Sequence, residues 1–129
     1  MRRACRFVFY TTFFLGAAMS HGAAASDVRI SGDWSRADGE ARITIAPCGE
    51  RLCATNTWIK DPGKGELVGD RFVMSLRPQQ PAVLAGDAFD IRRGATYSIR
   101  ISFDRDAMTT RGCIVGGIVC RTVSWVRVP

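Results

Sequence analysis

The chain reads as an all-β protein: a single small antiparallel up-and-down barrel of about eight strands, cross-linked by disulfides. Three observations carry that reading. Apolar and polar residues alternate with a period of two along most of the chain after residue 30, and no segment sustains a 3.6-residue period. Turn residues punctuate the alternation at short intervals. Four cysteines fall into two close pairs, Cys48/Cys53 and Cys113/Cys120.

The clearest strand is 95–103, where Ala95, Tyr97, Ile99, Ile101 and Phe103 share one face against Thr96, Ser98, Arg100 and Ser102. Phe72, Met74 and Leu76 alternate with Val73 and Ser75, and Ile43 and Ile45 with Arg42 and Thr44. Asp38-Gly39, Gly49-Glu50, Asp61 to Gly63, Pro78 to Pro81, Arg93-Gly94, Asp104 to Asp106 and Gly116-Gly117 separate the runs. Counting outward from these turns places strands over 32–36, 41–47, 53–60, 70–77, 83–91, 95–103, 107–114 and 118–128. Short connections favour pairing of each strand with its predecessor. An open meander would leave two unpaired edges, and closure removes them. An outer-membrane barrel would need an apolar outer belt and strands of about 9–11 residues; several strands here are shorter, so the barrel is expected to stand in water.

Residues 1–25 have the three parts of a Sec-type signal peptide: Arg2, Arg3 and Arg6, then the apolar stretch from Phe7 to Ala18, then Ala23-Ala24-Ala25 as the cleavage site. The expected product is a periplasmic or secreted domain over 26–129, with no transmembrane segment. Half of the formal charge of +6 belongs to the three leader arginines. The remaining cations are scattered singly rather than gathered on one face, so nucleic acid is not an expected partner.

An exported chain of this size buries roughly two-thirds of its unfolded surface and gains from cross-links. Four cysteines allow three connectivities, and sequence alone leaves crossed pairing between the hairpins open. Local pairing, Cys48 with Cys53 and Cys113 with Cys120, is favoured. A two-residue turn at Gly116-Gly117 would make Cys113 and Cys120 a hydrogen-bonded pair, where the backbone spacing suits a disulfide less well. The cysteine spacings do not match zinc ribbons, so no metal and no cofactor are expected.

Catalysis is not expected either. The only histidine, His21, is in the leader, so the exported domain has no Ser-His or Cys-His pair. The nominal carboxylate pairs, Asp87/Asp90 and Asp104/Asp106, sit at or near turns, where aspartate bonds the backbone.

Gly32-Asp33-Trp34 in the first strand and Trp125-Val126-Arg127 in the last become neighbours on closure. Arg127 stacked on Trp34 would close one end of the barrel. In chain order, Gly32-x-Trp34, Cys48-Gly49-x-x-Leu52-Cys53, Thr96-Tyr97-Ser98, Thr110-Arg111-Gly112-Cys113, Gly116-Gly117-x-x-Cys120 and Trp125-x-Arg127 resemble the exported bacterial family called domain of unknown function 2147. The resemblance spans nearly all of the exported domain and implies a lipocalin-like barrel. It implies no reaction and no functional residues, and the segment from Asp61 to Arg71 is shorter than usual for the family.

A barrel of this size either fills with side chains or holds one small ligand. For a ligand, the candidate contacts are Trp58, Phe72, Tyr97 and Trp125, with Met74 and Phe103 beside them and Arg111 as the polar group for an acidic head. The expected function is binding of a small apolar or amphiphilic molecule. The alternative is an envelope protein-protein interaction module with a filled interior. Inhibition of a basic lysozyme fits poorly, because the exported domain is itself basic.

Overall fold

The computed structural model describes residues 16–17, 29–114 and 116–129. The expected leader, with its cleavage site and His21, lies outside the described residues except for Gly16 and Ala17. Eight antiparallel strands form one closed barrel in chain order: β1 (Gly32–Arg36), β2 (Ala41–Cys48), β3 (Arg51–Ile59), β4 (Arg71–Gln80), β5 (Val83–Asp90), β6 (Ala95–Phe103), β7 (Ala107–Ile114) and β8 (Val119–Arg127). Strand β8 returns to β1 through Trp34↔Arg127, Ser35↔Val126 and Arg36↔Trp125, so neither β1 nor β8 is left as an edge. A 3-10 turn, Pro62–Lys64, sits in the connection between β3 and β4, capped by Asp61, whose side chain accepts from the Gly63 amide. Among the described residues, no helix is long and apolar enough to cross a membrane. The outer face carries Arg42, Arg71, Arg100 and Arg111 alongside the exposed Trp58, Phe89 and Val126.

Both disulfides are local, Cys48–Cys53 and Cys113–Cys120. The first is diagonal: the β2–β3 ladder runs out to Cys48↔Arg51, leaving Gly49-Glu50 as the turn, with Gly49 at φ 66°. The second joins residues directly opposite each other. Their Cα atoms are 4.0 Å apart, the close spacing of a non-hydrogen-bonded pair rather than the wide one. The pairing expected from a turn at Gly116-Gly117, Ile114 with Val119 and Cys113 with Cys120, is the one observed.

The barrel's two ends differ. The connections before β1, β3, β5 and β7 gather at one end, and those before β2, β4, β6 and β8 at the other. At the first end Trp34 and Ile30 are completely buried, with Leu84 and Ile101 stacked inside them. The Trp34 indole donates to the Ile30 carbonyl at 2.9 Å. The Arg127 guanidinium lies 4.2 Å from the centre of the Trp34 ring. It donates to the carbonyls of Arg105 at 2.7 Å, Ser31 at 2.9 Å and Arg29 at 2.6 Å. One cation thus satisfies three backbone acceptors on two chain segments while its flat face covers the ring. Gly32 has no alternative here: its φ is +128°, and a Cβ would lie 2.8 Å from Arg127 Nη1. Arg29 adds a second lid, 4.9 Å over Phe103 and bonded to the Pro81 carbonyl.

Gly86 makes a different demand. A Cβ there would overlap the Ser75 carbonyl oxygen of the neighbouring strand, so β4 and β5 approach as closely as they do only because this position has no side chain.

Candidate functional site: a chamber at the open end

Above the plug the barrel is not filled. A chamber of about 320 Å³ opens toward the second end, at the lower limit of ordinary ligand sites. Its cause is legible residue by residue. Inward positions on three alternate strands carry small residues, Ala54 on β3, Ala88 on β5 and Gly112 on β7, where Ile, Leu or Phe would fill the space. Gly112 has an ordinary φ, and a Cβ built on it meets nothing within 4 Å. Its role is to leave volume. Most of the remaining wall is apolar, from Ile45, Met74, Ile99 and Val123 to the rings of Phe72, Tyr97 and Trp125, with Asn56 and Thr110 as polar members.

The Phe72 and Tyr97 rings pack against each other at 6.0 Å between centres, tilted by 59°. The Trp125 indole donates to Thr110 Oγ1 at 3.0 Å, so its polar edge is satisfied while the ring faces the chamber. The Tyr97 hydroxyl has no hydrogen-bond partner among the described residues.

The mouth is ionic. Arg36 is buried among three carboxylates: Asp38 at 2.9 Å, Glu66 at 3.0 Å and Glu40 at 3.5 Å. Burial works against the Arg36 charge, but the bonds to Asp38 and Glu66 outweigh it and raise its pKa. Lys64 reaches Glu40 at 3.7 Å. Asp70 accepts two bonds from Arg92, at 2.6 and 2.8 Å, which hold its carboxyl below the usual range against the opposing effect of burial. The buried Asp90 accepts from the Arg93 side chain and amide at 2.8 and 3.0 Å. Arg92 and Arg93 both cap the Gly65 carbonyl, tying the β3–β4 and β5–β6 connections together. The Glu40 amide and then Arg36 lower the Asp38 pKa, with a weaker contribution from the charge of Arg121. Arg121 itself lines the mouth and makes no hydrogen bond or ion pair with any described residue.

Of the residues singled out from sequence, Phe72, Tyr97 and Trp125 line the chamber, with Met74 below them. Trp58 and Arg111 do not. A bulge opposite Arg42/Ile43 sets Arg42 against Trp58 but Ile43 against Asn56, reversing the phase of β3 after Asn56. Trp58 therefore points outward, 43 % exposed, under the Arg42 guanidinium. Arg111 is exposed between Arg100 and Thr122 on the outer face, because Met108, Thr110 and Gly112 take the inward phase of β7. Phe103 belongs to the plug rather than the chamber. Sequence reading missed Arg121, although a signal existed: stepping back by twos from Arg127 and Trp125 through Val123 reaches it.

The carboxylate pairs are poorly placed for joint chemistry. Asp87 and Asp90 differ in phase on β5, exposed and buried respectively. Asp104 accepts from the amides of Asp106 and Ala107 in the turn at the plugged end, which lowers its pKa.

A family model described as an uncharacterized protein conserved in bacteria (DUF2147) matches residues 32–127, from the first residue of β1 to the last of β8. The chain belongs to that family. No curated protein and no solved structure matches it. Within this member of domain of unknown function 2147, the motif residues Gly32, Trp34 and Arg127 are explained by the plug, and the four cysteines by two hairpin cross-links. Gly112 belongs to the chamber.

Proposed function

We propose that this protein is an exported, non-enzymatic carrier or sensor that holds one small apolar or amphiphilic molecule inside its barrel. The observation that carries the reading is the apolar chamber behind an ionic mouth, kept open by Ala54, Ala88 and Gly112. A barrel serving only as a scaffold gains nothing from such a void, since filling it with side chains would add dispersion and burial energy. The two local disulfides fit export to an oxidising compartment.

The test fills the void. Gly112→Phe places a ring in the open space and raises strand propensity. Binding of the uncharged fluorophore N-phenyl-1-naphthylamine, followed by its emission, should weaken by about tenfold or more, with the urea midpoint held or raised. Equal binding by both proteins, or no binding by the wild type, would contradict the chamber reading.

A second reading, an envelope interaction module, draws support from the open rim. Ile118 is 81 % exposed, Val68 63 % and Ile91 52 %, each on a different connection. Exposed apolar residues grouped at one end suit contact with another surface. That reading needs no ligand, and probe uptake separates the two.

A further inference from the structure

We propose, resting on the chamber reading, that the ligand is a single-chain carboxylate whose head is held by Arg121. Three observations converge on this residue. Arg121 is on the inward phase of β8 with Val123 and Trp125. Its partner across the ladder is Gly112, which has no side chain to fill the space beside it. The other arginines and the lysine grouped at the mouth are committed: Arg36 to Asp38, Glu40 and Glu66, Lys64 to Glu40, Arg92 to Asp70, and Arg93 to Asp90. Those four cations face five carboxylates and Asp61 also lines the mouth, but Arg121 is the cation grouped there that makes no hydrogen bond or ion pair with a described residue.

Geometry and size narrow the class. A guanidinium presents a planar fork that matches a carboxylate with two parallel bonds, and Arg121 stands exposed at the mouth, where an acidic head would sit. The Tyr97 hydroxyl, also facing the chamber and without a described partner, supplies a second donor. A volume of about 320 Å³ suits one short chain rather than a two-chain lipid, because ordinary sites for larger molecules extend to roughly 1,000 Å³. The acidic head assigned from sequence to Arg111 thus belongs to Arg121, on the opposite face of the sheet.

Titration calorimetry with decanoate and with decanol tests this on four proteins: wild type, Arg121→Gln, Arg121→Lys and Arg111→Gln. The wild type should bind both ligands. Arg121→Gln should lose about tenfold or more in decanoate affinity and keep decanol binding; Arg121→Lys should fall between, retaining charge without the fork. Arg111→Gln makes the same charge change on the outer face and should leave both affinities unchanged. Decanoate binding that survives Arg121→Gln, or falls equally in Arg111→Gln, overturns the assignment and leaves the chamber reading standing, provided decanol still binds. A wild type that binds neither ligand ends both.

Discussion

Trp34→Ala should destabilise the barrel by about 3–5 kcal/mol, the cost of emptying a fully buried aromatic site. The loss should fall toward the upper end of that range. The indole is completely buried, satisfies the Ile30 carbonyl and supports the Arg127 guanidinium. Without it, the three carbonyls that Arg127 bridges lose their positioned donor. Urea unfolding followed by circular dichroism measures the change. If the alanine variant does not fold, Trp34→Phe supplies a graded version that keeps a ring under the cation while removing the indole donor. Arg127→Lys should cost less, about 1–3 kcal/mol, because the charge survives and the planar fork does not. Stability unchanged in Trp34→Ala would mean that the plug does not hold the closed end together.

Reduction of both disulfides should cost about 5 kcal/mol, from two closures of six and eight residues in the chain-entropy model. The two bridges act at opposite ends. Cys48–Cys53 ties the β2–β3 hairpin at the plugged end, and Cys113–Cys120 spans β7 and β8 next to Gly112 and Arg121. Replacing Cys48 and Cys53 together by serine should lower the unfolding free energy by about 2 kcal/mol with ligand affinity unchanged. Replacing Cys113 and Cys120 should lower stability similarly and weaken binding as well. Equal unfolding curves with and without reductant would contradict the cross-linking role.

Much of this architecture is legible in the residues. The alternation of Tyr97, Ile99, Ile101 and Phe103 defines β6, and glycine and aspartate turns separate its neighbours, because strand period and turn chemistry are local. The Trp34–Arg127 contact follows from closure, which brings the first and last strands together. The chamber was only half legible. Phe72, Tyr97 and Trp125 announce themselves as large apolar residues in phase with core neighbours. Trp58 looked equivalent, but one extra residue in β3 reverses its face, and nothing in the local composition marks the bulge. Arg111 and Arg121 could not be distinguished by type. Phase separates them, and on β7 phase was ambiguous because neither Ala107-Thr109-Arg111 nor Met108-Thr110-Gly112 is strongly apolar. The void itself rests on Ala54, Ala88 and Gly112, whose smallness becomes meaningful only when the register shows them sharing one interior. The distant mouth pairs, Arg36 with Glu66 and Arg92 with Asp70, join residues thirty and twenty-two positions apart and have no sequence-local signature.

Native mass spectrometry of the protein purified from bacteria shows directly whether the barrel interior is a ligand chamber. The prediction is a population carrying one added small molecule, released on unfolding and absent from Gly112→Phe. A bare polypeptide mass, both as purified and after incubation with saturating decanol, would contradict it.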